Sequence, residues 1–212
     1  MPATRSHRNH QHALRHLSKA DRTLARLIRR AGPCTLRPDT RQSPYEALVE
    51  AVVYQQLTGK AAATILGRVK ALYRHMRVPR PRELAATPVR KLRRAGLSRA
   101  KAAALKDIAT KSLSGVIPTS RAIARLSNAE IKDRLTSIRG VGPWTVEMLL
   151  IFKLGRLDVF PSTDYGVRKG YAVTYGKRSL PHPRKLQLLS ERWSPYQSIA
   201  AWYFWRAIDM EK

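Results

Sequence analysis

The sequence predicts an all-α protein, about ten to twelve short helices gathered into two lobes. Three observations predict it. Apolar residues recur at helical spacing along nearly the whole chain. Ser, Thr or Asp stands ahead of run after run of them, where a helix start needs an acceptor for its orphan N–H groups. No stretch alternates polar and apolar residues between hairpin turns, so no sheet is expected. At 212 residues the chain is long enough to bury a substantial core.

In order along the chain, Leu14, Leu17, Leu24, Leu27 and Ile28 place a helix over residues 12–30. Ser43-Pro44 opens the next, a cap followed by proline in the first turn, with Ala47, Leu48, Ala51 and Val52 facing inward. Gly59 interrupts, and a further helix through Ala63, Ile65, Leu66, Val69 and Leu72 ends before Pro79 and Pro81. Short helices are expected over residues 82–86 and 89–95, and Ser98 caps a longer one reaching residue 112. Thr119 and Ser127 cap two more, others begin after Gly142 and Asp164, and the last covers residues 195–209. The expectation is one unit over residues 1–212 with lobes of about 40–117 and 118–212 divided at Pro118. A basic N-terminal arm and helix over residues 1–40 would cross back to the C-terminal helix.

Charge narrows the function. Lys and Arg number 41 against 14 Asp and Glu, a formal net charge of +27. Self-repulsion on that scale opposes compactness, which points to an anionic partner, nucleic acid first, since each phosphate neutralised releases condensed counterions. A ribosome-associated or histone-like protein would share the excess, yet 43% of these residues are hydrophobic and no long basic tail stands apart from them. The single Cys34 excludes an intrachain disulfide and any cysteine-built zinc or iron–sulfur site. His7, His10, His12 and His16 lack a nearby carboxylate or thiolate to complete a metal set. No run of about 18 apolar residues would span a membrane, and no secretory signal opens the chain, so an intracellular protein is expected, in cytoplasm and nucleoid or in a nucleus. The first thirty residues are Arg-rich and acid-poor in the manner of a transit peptide, although a plain basic arm explains them equally.

The most informative stretch is Leu135-Thr-Ser-Ile138-Arg-Gly140-Val141-Gly142-Pro143-Trp144-Thr145. One helix ends near Leu135, two glycines flank an apolar residue, and a second helix starts with Pro143. Glycine lets the backbone turn tightly, and the N–H groups of the new helix start form an anion site. Gly140, Val141, Gly142 and Thr145 would present a DNA phosphate with backbone donors that read no sequence, with Val141 tucked between the helices. An ordinary αα turn with a glycine C-cap reads the same way.

Asp164 follows Gly142 by 22 residues, inside Leu157-Asp-Val-Phe160-Pro161-Ser-Thr-Asp164-Tyr165-Gly-Val-Arg168. A hairpin of this kind, a Gly/Pro-rich loop and an Asp at a helix start resemble the helix-hairpin-helix (HhH-GPD) superfamily of DNA glycosylases. Gly-Val-Gly-x-Trp-Thr, Asp-Val-Phe-Pro-x-x-Asp-Tyr, Trp193-Ser-Pro-Tyr-Gln-Ser-Ile-Ala-Ala-Trp-Tyr-Phe-Trp205 and Tyr54-Gln55-Gln56-Leu57-Thr58-Gly-Lys60 are similar to its alkylation-repair branch, the 3-methyladenine DNA glycosylase II type. The likeness covers residues 43–209, and only about forty residues precede it, too few for the β-rich N-terminal domain of the larger members.

The resemblance implies a two-lobed multi-helix glycosylase fold and a catalytic carboxylate at Asp164. As a base leaves, positive charge builds on the sugar; a nearby carboxylate stabilises it and orients or deprotonates the attacking water. A chain this basic favours the ionised form. Asp164 would also serve as the cap of the helix after it, unless Ser162 or Thr163 does, and Asp158 is the rival carboxylate with a loop role. Lyase-type members carry a lysine where Trp144 stands, and tryptophan forms no Schiff base, so excision without strand cleavage is implied; Lys153 and Lys169 lie off the motif position. The flipped base would enter an aromatic pocket of Trp144, Tyr165 and Trp205, joined by Tyr45 and Tyr54, with Met148 where relatives carry another ring. Trp202 and Trp205 fit a core equally well. Gln56 falls at the intercalating position, with Leu57 as its neighbouring candidate. No cofactor is implied beyond a structural monovalent cation on the hairpin backbone at Ile138 and Gly140. The implied partner is duplex DNA carrying a damaged base, met by a monomer.

Two other readings stay open at this stage: a glycosylase for an oxidised, deaminated or mismatched base, and a catalytically silent hairpin protein, which would have no need of Asp164. Arg93, Arg94, Arg99, Lys101, Arg139, Arg168 and Lys169 are candidates for the phosphate path. Nucleic-acid affinity should therefore fall steeply with salt, and a titration from about 50 to 200 mM should show a loss of on the order of a hundredfold or more; a flat titration would remove phosphate contact as the reason for the charge.

Overall fold

The computed structural model describes the backbone of residues 5–211 and the side chains of residues 10–211, and every regular element among them is helical. The helix expected over residues 12–30 is two, α1 (Arg5–Ala20) and α2 (Arg22–Ala31). Apolar periodicity runs straight across the joint, but Asp21 leaves helical geometry and caps α2, its Oδ1 accepting from the N–H groups of Thr23 and Leu24 at 3.0 Å each. Its Oδ2 accepts from the Tyr175 hydroxyl at 2.5 Å and the Trp193 indole N–H at 3.2 Å. The carboxylate is buried, so four donors replace the water it loses.

Contacts divide the chain into two compact units, one of residues Thr40–Leu149 and one of the described residues up to Asp39 together with those from Leu150 onward. The boundaries therefore fall after Asp39 and inside a helix, and Pro118 is not one of them. The N-terminal helices do join the C-terminal ones, as the sequence suggests.

The unit Thr40–Leu149 begins with α3 (Pro44–Tyr54), where Ser43 and Glu46 form a reciprocal capping box. Thr58 caps α4 (Gly59–Ala71), so Gly59 is the first residue of that helix. Next come α5 (Pro81–Ala86), α6 (Val89–Arg94) and α7 (Arg99–Leu113), the last capped by Ser98 and packed against α3, α5 and α6. Thr119 caps α8 (Ser120–Ile123), and Ser127 with Glu130 boxes α9 (Asn128–Thr136). Then α10 (Pro143–Phe152) starts in this unit and ends in the other.

The second unit continues with α11 (Tyr165–Thr174), α12 (Pro183–Ser190), a short 3₁₀ turn (Glu191–Trp193) and α13 (Gln197–Asp209). Sequence reading missed α12, although His182-Pro183 carries the same cap-then-proline signal as Ser43-Pro44. The helices α11 and α13 lie unusually close. A Cβ on Gly170 would overlap the Phe204 backbone carbonyl, and one on Gly166 would stand 2.7 Å from the Trp205 ring. Around them Trp193, Phe204, Tyr171 and Phe160 form an aromatic core, with Trp193 and Phe204 centroids 5.1 Å apart. Among the described residues no helix is long and apolar enough to cross a membrane. His10 faces the Cys34 carbonyl at 3.2 Å and His16 meets the Tyr196 ring edge-on; the side chain of His7 lies outside the described residues.

Asp21→Ala removes a cap and leaves two buried donors without an acceptor. It should cost about 3 kcal/mol in urea unfolding, and Asp21→Asn, which still caps, clearly less. Equal losses would mean that the cap is not what joins α1 to α2.

Candidate active site

In the unit Thr40–Leu149 the hairpin joins α9 to α10. Gly140 takes φ +77°, open to glycine at little cost, and a Cβ there would approach that of Ala104 to 3.0 Å. Val141 is buried between the helices, as expected, and its N–H returns to the Ile138 carbonyl at 3.0 Å. The Arg139 N–H donates to Asp107 Oδ2 at 2.8 Å, and Lys132 on α9 pairs with the buried Glu147 on α10 at 2.8 Å. Gly142 is exposed at the start of α10, the end of a helix that favours an anion. Thr145 is buried, and its hydroxyl accepts from the Gln55 amide at 3.3 Å, so it reaches across to α3 rather than outward.

The expected cation would sit on two carbonyl oxygens. Ile138 O accepts from the Val141 N–H and Gly140 O from the Gln55 amide at 2.9 Å. Each carbonyl keeps a second lone pair, so one accepted hydrogen bond on each leaves a lone pair for a backbone-held monovalent cation.

The turn after α3 carries both wedge candidates. Gln56 sits at φ +54° with its side chain exposed, Leu57 is 39% exposed, and the Leu57 N–H returns to Tyr54 O at 3.3 Å. Both wedge candidates are therefore at the tip. Beside them Ala51, Tyr54, Gln55, Gln56, Trp144, Thr145 and Met148 line an open, mainly apolar cavity of about 580 Å³. That brings Tyr54, Trp144 and Met148 together at one cavity. Tyr45 is not part of it. Its ring is buried and its hydroxyl donates to the Pro79 carbonyl at 2.8 Å, with burial pushing its pKa upward. An aromatic residue near a motif reads alike whether it is packed or presented, which is why sequence placed it in the pocket.

In the other unit Asp164 is the N-cap of α11, and neither Ser162 nor Thr163 takes that place. The Asp164 N–H closes a turn to Pro161 O, which brings the side chain onto the Val167 N–H at 2.8 Å. The same Oδ1 accepts from the Trp205 indole N–H at 2.8 Å. Trp205 packs against Phe152 with centroids 5.5 Å apart. Its polar edge thus holds the carboxylate, a role the sequence reading missed; the three-residue spacing from Trp202 gave no sign of it. Tyr165 is 63% exposed one residue on, and Asp158 is exposed, with Ser194 Oγ donating to it at 2.8 Å. Lys153 pairs with Asp39 at 3.6 Å. Two candidates for the phosphate path are tied to backbone carbonyls: Arg168 Nε donates to Pro181 O, and Lys101 to the end of α3.

Residues 49–195 match the model of the HhH-GPD superfamily base excision DNA repair protein. The chain belongs to this superfamily. As a HhH-GPD protein it is similar to DNA-3-methyladenine glycosylase 1 of Schizosaccharomyces pombe, 40% identical over 194 residues that make up 90% of this chain and 84% of the relative. Among solved structures it resembles the Schizosaccharomyces pombe 3-methyladenine DNA glycosylase in complex with abasic DNA, with TM-score 0.80, 40% identity, and 91% and 94% of the two chains covered. A second HhH-GPD neighbour is DNA-3-methyladenine glycosidase of Bacillus halodurans, with TM-score 0.83, 31% identity, and 92% and 88% covered. The hairpin, the Gln56 turn and Asp164 all fall inside the residues the superfamily matches.

Tyr45→Phe separates packing from presentation. It should cost about 1 kcal/mol of stability, for the lost bond to Pro79, and leave base excision within about twofold of the parent. A large loss of excision at unchanged stability would return Tyr45 to the site.

Proposed function

We propose that the chain is a monofunctional DNA glycosylase acting as a monomer, which flips an alkylated purine such as 3-methyladenine out of duplex DNA and hydrolyses its N-glycosidic bond. The observation that carries this is the Asp164 carboxylate, fixed at the start of α11 by the Val167 N–H and the Trp205 indole. The relatives named 3-methyladenine glycosylases, and the one bound to abasic DNA, support it.

The chemistry follows from the charges. Alkylation at a ring nitrogen makes the base cationic, so it departs with the bonding pair as a neutral molecule and needs little acid catalysis. The sugar is left with the positive charge, which Asp164 stabilises by its own. Water adds to C1′, and its proton passes to the carboxylate or to solvent. The cavity of Tyr54, Trp144 and Met148 suits a flat cationic ring, since π faces attract cations. Trp144 offers no amine at the position where lyase-type members carry lysine, so the strand stays intact. Gln56 and Leu57 fill the gap the base leaves. The Gly140 to Gly142 turn holds a phosphate through backbone donors, whatever the sequence.

Base release from methylated duplex DNA tests the whole reading. The parent protein should free 3-methyladenine and leave strands that break only on heating in alkali. Asp164→Asn keeps the cap and should slow release by on the order of a hundredfold; Trp205→Phe should slow it by about tenfold. No methylated base released, or a borohydride-trapped covalent adduct, would contradict the proposal.

A further inference from the structure

One helix carries both elements that would touch DNA in the unit Thr40–Leu149. On α7, Lys101, Ala104 and Asp107 recur every three residues and so share a face. At one end Lys101 Nζ donates to the carbonyls of Val53 at 2.8 Å and Gln55 at 2.6 Å, the last carbonyls before the Gln56 turn. An ammonium at a helix C-terminus satisfies orphan carbonyls and complements the dipole. One turn along, the Ala104 methyl lies beneath Gly140. One turn further, Asp107 accepts the Arg139 N–H. Gln55 closes the circuit, with its backbone carbonyl on Lys101 and its side-chain amide on Gly140 O and Thr145 Oγ1. Gln56, next in sequence, holds φ +54°, a conformation that persists only where neighbouring contacts enforce it. Partial burial lowers the Lys101 pKa by desolvation.

We infer, on the glycosylase reading above, that Lys101, Gln55 and Asp107 are positioning residues of the flipping step. They hold the Gln56 turn and the hairpin at a fixed separation along one face of α7. From Lys101 to Asp107 that face spans about 9 Å. A hairpin seated on a phosphate then fixes where the wedge enters the base stack. Nucleotide flipping, and not affinity for the backbone or the bond-breaking chemistry, is what this brace controls.

The test reads flipping without chemistry. A duplex carries a stable tetrahydrofuran abasic residue with 2-aminopurine beside it, and its fluorescence is followed at saturating protein. The parent protein should raise the signal as the stack opens. Lys101→Met should shift the unstacking equilibrium against opening by about tenfold, and Gln55→Met should do the same. Lys101→Arg keeps a donor cation and should recover to within about threefold. Circular dichroism confirms that each variant is folded. An unchanged rise in both methionine variants overturns the inference, as does no rise with the parent, or an arginine variant no better than methionine. Methylated-base release by the parent, measured separately, decides the glycosylase reading, so the two failures are told apart.

Discussion

A helix leaves four N–H groups at its start without an intrahelical acceptor, and a chain built from helices of four to sixteen residues meets that demand again and again. Here side chains answer it. Asp21, Ser43, Thr58, Ser98, Thr119, Ser127, Asp164 and His182 each accept from the first turn of the helix that follows. The caps set where each helix begins, and so which residues fall in the turns between. At two of these starts the capping group does more. Asp21 ties the α1–α2 joint to Tyr175 and Trp193, and Asp164 holds a half-buried carboxylate against an indole.

At Asp164 a single carboxylate oxygen meets two structural donors. Oδ1 accepts from Val167 and from Trp205, which fixes the rotation of the group as well as its place. The close approach of α11 to α13, allowed by Gly166 and Gly170, is what brings the indole within reach. Preorganisation of this kind is how a fixed charge stabilises a developing one without first rearranging. In the unit Thr40–Leu149 the same economy holds, with α7 serving as core helix on one side and as a brace for the hairpin and the Gln56 turn on another.

Sequence reads such a chain well wherever a helix start is chemical. Ser43, Ser98, Thr119 and Ser127 cap where the pattern places them, and the hairpin stands between α9 and α10 as expected. It reads poorly where the deciding fact is tertiary. The break at Asp21 is hidden because apolar spacing continues through it. The division of the chain inside α10 leaves no trace, since no helix ends there. Tyr45 and Trp205 are both aromatic residues near motifs, but one is locked to Pro79 and the other to Asp164, and only coordinates separate them. Lys101 looked like one more surface charge among 41 basic residues until its partners on α3 were visible.

The central claim is that the Asp164 carboxylate stabilises positive charge on the sugar. The most direct measurement compares binding of two duplexes, one with a cationic pyrrolidine ring at the abasic position and one with neutral tetrahydrofuran, by the parent protein and by Asp164→Asn. The account predicts that the parent prefers the cationic ring by about a hundredfold and that the variant loses most of that preference. Equal affinity for the two rings, or a preference that survives Asp164→Asn, would contradict it.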